Sequence, residues 1–430
     1  RRSAEQLTLH SYLLATLYRV VRTLWPQCSL ELFAALSPVL VSACCWLVLY
    51  LVINELLGSS VALLSLNIVV VMPLMVARTV VGYADRDATS LLLGLGMYYF
   101  YLRACHHPSK VRFIYQLISG SIGGVLALTW HGVGLFVIVV ICAEWVRFIF
   151  IGYRRADFIA YVIWLIPYLL CLSLKKSVYF PFTTSFSLIA AGVPFLFLVV
   201  ISIYFVISSS NRLVALSSLY GRVSIGTSIS LVCMVGISLC AIWFFAYRAH
   251  GDVDPLSTIT ALLQPFGTSR LAKTILELEP QNFVRWAVWP GIFFLALMAG
   301  ASLIVYRLAN HLGIDPWWSV IFFQLVIGGV TYTELIPKQF TSAAKWGESI
   351  YGFCLLALPI GVLFSSLFSW KQRQLRNGVS QSGPVTLDGN ALFLLCWLLL
   401  TLLCARSGIR FHFFFIPVAV PIGYMRSPRC

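Results

Sequence analysis

Read for polarity alone, the chain is a succession of long apolar runs separated by short polar breaks. The runs are roughly 17–25 residues long, the length of helix needed to cross about 30 Å of hydrocarbon. The pattern predicts about thirteen membrane-spanning helices. They fall near 33–57, 60–77, 89–105, 113–131, 133–152, 157–173, 187–208, 223–247, 284–307, 316–333, 347–368, 391–406 and 411–425. Three stretches break the rhythm. Residues 1–31 are amphipathic, with Leu7, Leu9, Tyr12, Leu13, Leu17, Val20, Val21 and Leu24 interspersed among polar positions. Residues 248–283 form a long polar excursion, and 369–390 a Ser/Gly/Gln-rich linker. The expected organisation is a partial external loop at 1–31 followed by a multi-span membrane domain at 32–430, all α-helical.

Composition agrees with that pattern. Hydrophobic residues make up 60% of the chain and charged ones 10%, against about 25% charged in an ordinary soluble domain. A net charge of +15 would suggest nucleic acid in a soluble protein. Here Lys and Arg flank apolar runs, where they meet lipid headgroups, and no nucleic-acid partner is expected. The 12 cysteines form no CxxC pair, and most lie inside apolar runs, as small hydrophobes do. Short loops carrying Arg103, Lys110, Arg112, Arg147, Arg154, Arg155, Arg212 and Arg222 mark one side as cytoplasmic. Segments 78–88, 130–132, 174–186, 248–283, 334–346 and 406–410 then fall on the outer face of a multi-pass protein of the cell membrane. The chain opens on Arg1 rather than Met, and a piece of a longer protein is expected.

Most of the candidate chemistry lies in those outer segments. In Arg78-Thr-Val-Val-Gly82-Tyr-Ala-Asp85-Arg86-Asp87, two carboxylates at i and i+2 can offer hard oxygen ligands to one divalent cation. The plainer reading is an interfacial turn in which Arg78 or Arg86 pairs with them. Glu277 precedes Pro280 and an apolar helix, and Glu334 precedes Pro337 in a weakly similar segment. Either could be a favourable charge at a helix N-terminus. Arg410, with Phe411, His412 and Pro417, opens the last span, where a guanidinium can snorkel to headgroups or grip a lipid phosphate. Trp130-His131-Gly132 reads as a helix junction with an interfacial aromatic, and His106-His107 as a polar loop on the opposite side. The carboxylates group at one membrane face, with Glu144 the main candidate for an exception.

In their order along the chain, these segments resemble the catalytic subunit of oligosaccharyltransferase. The run from Arg78 to Ala88, followed by an aromatic-rich span ending Tyr-Tyr-Phe-Tyr-Leu-Arg103, is similar to that family's second acidic motif. Leu128-Thr129-Trp130-His131-Gly132 resembles its Ser-Trp-Gly-Gly junction. Thr274-Ile275-Leu276-Glu277 reproduces the TIxE motif of its fifth external loop, and Gly408-Ile409-Arg410-Phe411 resembles its Val-Arg-Phe segment. The resemblance implies a C-type glycosyltransferase helical bundle and transfer of a lipid-linked glycan from a polyprenyl (pyro)phosphate carrier to protein asparagine. It implies Asp85, Asp87 and Glu277 around Mn²⁺ or Mg²⁺, Glu277 also approaching the acceptor, and Arg410 at the phosphate of the donor. Asp85, Glu277 and Arg410 would then be the catalytic residues, with Glu334 the alternative loop glutamate.

The chain departs from the family in places. Its first acidic motif is absent, Trp317-Trp318 is followed by Ser rather than Asp, and the soluble domain that reads the acceptor would lie beyond Cys430. Two alternatives stand beside the main reading. One is a polyprenyl-phosphate-sugar-dependent transferase of the same fold. The other is a non-catalytic lipid or solute transporter, for which carboxylates near the bilayer midplane would be expected.

Overall fold

The computed structural model describes residues 9–82, 86–107, 110–150, 153–175, 179, 188–209, 292–312, 315–332, 389–406 and 409–423. Among these the chain is helical. The helices are α1 (Leu9–Leu24), α2 (Leu30–Leu57), α3 (Ser59–Val71), α4 (Pro73–Thr79), α5 (Asp87–His106), α6 (Val111–Thr129), α7 (Gly134–Phe150) and α8 (Arg155–Leu174). They continue with α9 (Val193–Ser209), α10 (Ile292–Leu312), α11 (Pro316–Tyr332), α12 (Gly389–Arg406) and α13 (Ile409–Gly423). The expected spans at 223–247 and 347–368 lie outside the described residues. Where both exist, helix and expected span coincide, save that 60–77 is two helices. Pro73 lacks the N–H that would continue α3, so the chain breaks at Met72 and restarts as α4.

Five helical stretches among the described residues are long and apolar enough to cross a bilayer: Leu30–Leu57, Val111–Thr129, His131–Phe148, Arg155–Leu174 and Ile189–Val206. The protein is a multi-pass membrane protein. Many of its large exposed side chains are apolar, among them Leu40, Leu47, Leu63, Leu170 and Phe322. That distribution suits lipid, because hydrocarbon demands only that the backbone bond internally and imposes no polar face.

The chain divides into two compact units, Arg1–Val140 with Arg154–Pro194, and Ile141–Tyr153 with Phe195–Cys430. In the first, α6 is the central helix, packed between α5 and α8, and α2 lies against α5. Glycines make these approaches possible. A Cβ at Gly120 would run into the Trp164 carbonyl, and one at Gly124 would meet Cys171 Cβ at 2.6 Å. Hydrogen bonds then fix the register. Ser119 Oγ donates to the Met97 carbonyl at 2.8 Å and accepts from Trp164 Nε1 at 3.2 Å, tying α5, α6 and α8 together. Such bonds inside a membrane bundle are worth about 0.6–2 kcal/mol each.

In the second unit α10 packs on α11 and α13, and α12 pairs with α13. Gly300 lets α10 close on α13, since a Cβ there would collide with the Ile422 carbonyl. Gln324 Nε2 donates across to the Met298 carbonyl at 3.2 Å and to Ser302. Glu144, the expected intramembrane carboxylate, is buried. It accepts from Tyr153 OH at 2.9 Å and lies 3.7 Å from Arg147 one turn along α7.

Candidate functional site

In the first unit the C-terminal ends of α4, α6 and α8 and the N-terminal end of α5 gather polar side chains. The loop after α4 turns at Gly82, whose φ of 89° is left-handed and costs a residue with a Cβ about 1–2 kcal/mol. The Gly82 N–H donates to the Ala35 carbonyl at 3.0 Å, fastening this loop to the start of α2. Asp87 opens α5 as its first helical residue, where a negative charge complements the helix dipole. Its side chain is fully buried, and Arg78, only 7% exposed on α4, reaches it at 3.5 Å. The expected interfacial turn is therefore a buried ion pair. A carboxylate withdrawn from water needs a compensating charge, and the short loop between α4 and α5 brings one within reach.

Across from that pair, Lys175 caps α6. It follows the last residue of α8, and its Nζ donates to the Leu128 carbonyl at 2.7 Å. Tyr179 OH donates to the Ala127 carbonyl at 2.7 Å. Two carbonyls at the negative end of the α6 dipole thus receive donors from beyond α8. Burial, with the Arg86 charge adding to it, holds the Lys175 ammonium below the ordinary lysine range. The same two cations, Lys175 and Arg86, act electrostatically on His131, which faces the Tyr179 ring at 6.4 Å between centroids. Trp130 is not an interfacial belt residue: it is buried and meets Phe136 edge-on at 6.3 Å.

The described part of this region therefore holds three basic side chains (Arg78, Arg86, Lys175), a histidine and the Asp87 carboxylate. Such a set can accept an anionic group. Lys175 and Tyr179 carried no motif, and their signal in the sequence was only that 174–186 falls on the same face as 78–88 and 130–132. His131 was visible, as the residue standing where the resembling motif has glycine.

The other expected site residues are distributed as follows. Asp85, Glu277 and Glu334 lie outside the described residues. Arg410 stands in the first turn of α13, in the second unit. Among the described residues no group of three or more His, Cys, Asp or Glu could hold a metal ion. The acids expected to complete such a group with Asp87 are Asp85 and Glu277, and all three offer carboxylate oxygen, the donor type that suits Mn²⁺ or Mg²⁺.

No protein-family model and no curated protein matches the sequence. Solved structures do. The archaeal oligosaccharyltransferase AglB of Archaeoglobus fulgidus, in complex with an inhibitory peptide and a dolichol-phosphate, aligns over 97% of this chain with a TM-score of 0.50 and 15% identity. The same organism's enzyme in its apo form aligns equally well, again at 15% identity over 97% of the chain. The fold is oligosaccharyltransferase-like. The chain spans 48% of the length of those structures.

Proposed function

We propose that this chain is the membrane part of a glycosyltransferase of the oligosaccharyltransferase type. It would transfer a glycan from a polyprenyl (pyro)phosphate carrier to asparagine of an acceptor polypeptide. The observation that carries the reading is the cationic end of the first unit, built beside an acidic motif within an oligosaccharyltransferase-like fold. A dolichol-phosphate and a peptide are the molecules bound by the AglB structure that this chain resembles, and they are the two partner classes proposed here.

Each residue has a distinct task in this reading. Arg86 and Lys175 would offset the negative charge developing on the phosphate that departs with the lipid, the task that the resemblance also gives to Arg410. A lysine held half-buried is the stronger for it, because less water competes for its charge. Arg78 holds the Asp87 carboxylate at the head of α5. Asp85, Asp87 and Glu277 would hold Mn²⁺ or Mg²⁺, which supplies Lewis-acid stabilisation to the phosphate oxygens. Glu277 also orients the acceptor amide, with Glu334 the alternative for that role. The active face is the external one, where the basic short loops of the opposite face would be cytoplasmic. Glu144 supports an enzyme over a transporter: it is tied to Tyr153 and Arg147 rather than facing a water-filled path.

The test is glycan transfer in vitro by the full-length protein, with a polyprenyl-linked donor and an acceptor peptide. Transfer should vanish in the Asp85→Ala, Glu277→Ala double variant. Unchanged transfer would remove the assignment. Transfer from a monophosphate-linked monosaccharide alone would move it to the alternative enzyme of the same fold.

A further inference from the structure

Buried serines and threonines in this bundle mostly bond to their own helix. Ser37, Ser42, Thr129 and Thr401 each donate to a carbonyl one turn back, at 2.6–2.9 Å, the local bond that frees a hydroxyl from its need for water. Ser119 instead ties α5 and α8 to α6. Ser90 does neither. It is fully buried on α5, and its Oγ has no hydrogen-bond partner among the described residues. The carbonyl one turn back, that of Arg86, accepts the Ser90 N–H at 2.8 Å. A buried hydroxyl that bonds nothing is costly, so its surroundings decide what it serves.

Asp87 lies three residues earlier, the first residue of the same helix and equally buried. Residues three apart on a helix are neighbours, with Cβ atoms roughly 5–6 Å apart. Each Cα–Cβ bond also tilts toward the helix N-terminus, which leans Ser90 toward Asp87 rather than away from it. The same face continues to Gly94, where a Cβ would run into the Phe136 ring, and to Tyr98, whose OH donates to the Phe136 carbonyl at 3.1 Å. Ser90 is thus on the side of α5 turned to the start of α7, beside the acid and away from lipid. Thr89 is not, because two residues beyond Asp87 a helix has turned about 200°. Among the described residues Ser65 of α3 is likewise buried without a partner, but its helix carries no charged residue.

We propose that the Ser90 hydroxyl is a further oxygen ligand of the divalent cation assigned to Asp85, Asp87 and Glu277. Ser90 thereby joins a cation site that itself rests on the proposed function. A serine hydroxyl is a hard, neutral donor of the kind that holds Mg²⁺ in phosphate-binding loops. Ligands at i and i+3 of one helix can converge on one metal ion. Charge also favours a neutral ligand. The three acids carry three negative charges, which Arg78 and a divalent cation together balance, and a fourth carboxylate would leave an excess in a buried place.

Mn²⁺ binding to the full-length protein in phospholipid nanodiscs tests this, followed by the paramagnetic resonance signal of the free ion. Ser90→Ala should weaken binding at least about tenfold. The metal-free variant should unfold at the same temperature as the unaltered protein or higher, because a buried hydroxyl without a bond has been removed. Ser90→Cys should lose Mn²⁺ affinity too, and Zn²⁺ should displace Mn²⁺ from it more readily than from the unaltered protein, since a thiolate prefers the softer ion. Ser65→Ala should bind Mn²⁺ as the unaltered protein does. Unchanged Mn²⁺ affinity in Ser90→Ala would overturn the inference, as would an equal fall in Ser65→Ala. The Asp85→Ala, Glu277→Ala variant separates this outcome from failure of the cation site itself. If that variant binds Mn²⁺ as tightly as the unaltered protein, the cation site and the Ser90 ligand both fall. If it has lost the ion while Ser90→Ala keeps it, the Ser90 ligand alone is wrong.

Discussion

The two ends of the first unit handle charge in opposite ways. At the end formed by the last turns of α2 and α5, Glu55 pairs with His106 Nδ1 at 2.7 Å and with Arg103 at 3.3 Å. Nearby on the same side, Arg112 of α6 meets Asp157 of α8 at 2.6 Å, and Asp157 also accepts the Arg154 N–H at 2.9 Å. Each carboxylate there takes two partners, and the further cations Lys110, Arg154 and Arg155 are exposed. At the other end Asp87 is fully buried, Glu31 in the first turn of α2 is exposed, and the further cations Arg86 and Lys175 are only half-exposed. The first arrangement clamps helices and lets water carry the surplus charge. The second keeps its cations where water is scarce, which strengthens their pull on an anionic group.

The largest test of that contrast is Asp87→Ala. It leaves Arg78 buried without its carboxylate and should cost about 3–5 kcal/mol of stability. It should also abolish transfer. The double variant Arg78→Met, Asp87→Leu should regain most of the thermal stability and none of the transfer. Recovery of both would make the pair merely structural.

Next in size, Asp157→Ala removes the partner of Arg112 together with the cap of α8, at a cost of about 2–3 kcal/mol. Thermal unfolding should register that loss. Transfer by the surviving folded protein should keep its kcat and its KM for donor, since this end holds no ligand.

Smaller in energy but specific to the site, Lys175→Met should raise the KM for the lipid-linked donor about tenfold, roughly 1.4 kcal/mol, with little change in melting temperature. The pH dependence has a definite sign. The protonated ammonium binds phosphate, and burial with Arg86 has lowered its pKa. Donor affinity should therefore fall on the alkaline side at a pH below the usual lysine range, and Lys175→Arg should remove that limb. Across the same window the fold gains slight stability, because the neutral amine no longer bears the cost of burial. His131, Tyr179 and Arg86 surround the group, so the profile is read as a difference from Lys175→Arg.

The smallest effect belongs to the clamp at the far end. His106→Gln should cost less than about 1 kcal/mol, because the Glu55–His106 pair is partly exposed and water screens it. A larger loss in a thermal scan would place the two ends on the same footing and weaken the contrast.

Much of this was readable before any coordinates. Apart from 223–247 and 347–368, which lie outside the described residues, helices stand where run length put the spans, because a chain that must cross hydrocarbon has almost no choice but helix. The run from Arg78 to Asp87 announced itself by its carboxylates, and the order of the motifs led to the fold that the archaeal structures share. Position 131 was visible as a departure from glycine. Lys175 was not readable as part of the site: nothing local distinguishes it from Lys176, and its meaning comes from the Leu128 carbonyl that it meets. Nor could the sequence choose between Arg78 and Arg86 as the partner of Asp87. That choice depends on how α4 turns into α5, and Gly82 and its bond to Ala35 belong to that turn.

By itself, then, the sequence determined that this is a bundle of membrane helices, because apolar run length and bilayer thickness are matched quantities. It also determined which residues could do chemistry, because charges are costly near lipid and few are kept there. The tertiary structure alone decided which of those charges meet one another. Pairing depends on distances between helices far apart in the chain, and no periodicity along one helix encodes them. The Arg78–Asp87 pair and the Lys175 cap on α6 are both of that kind.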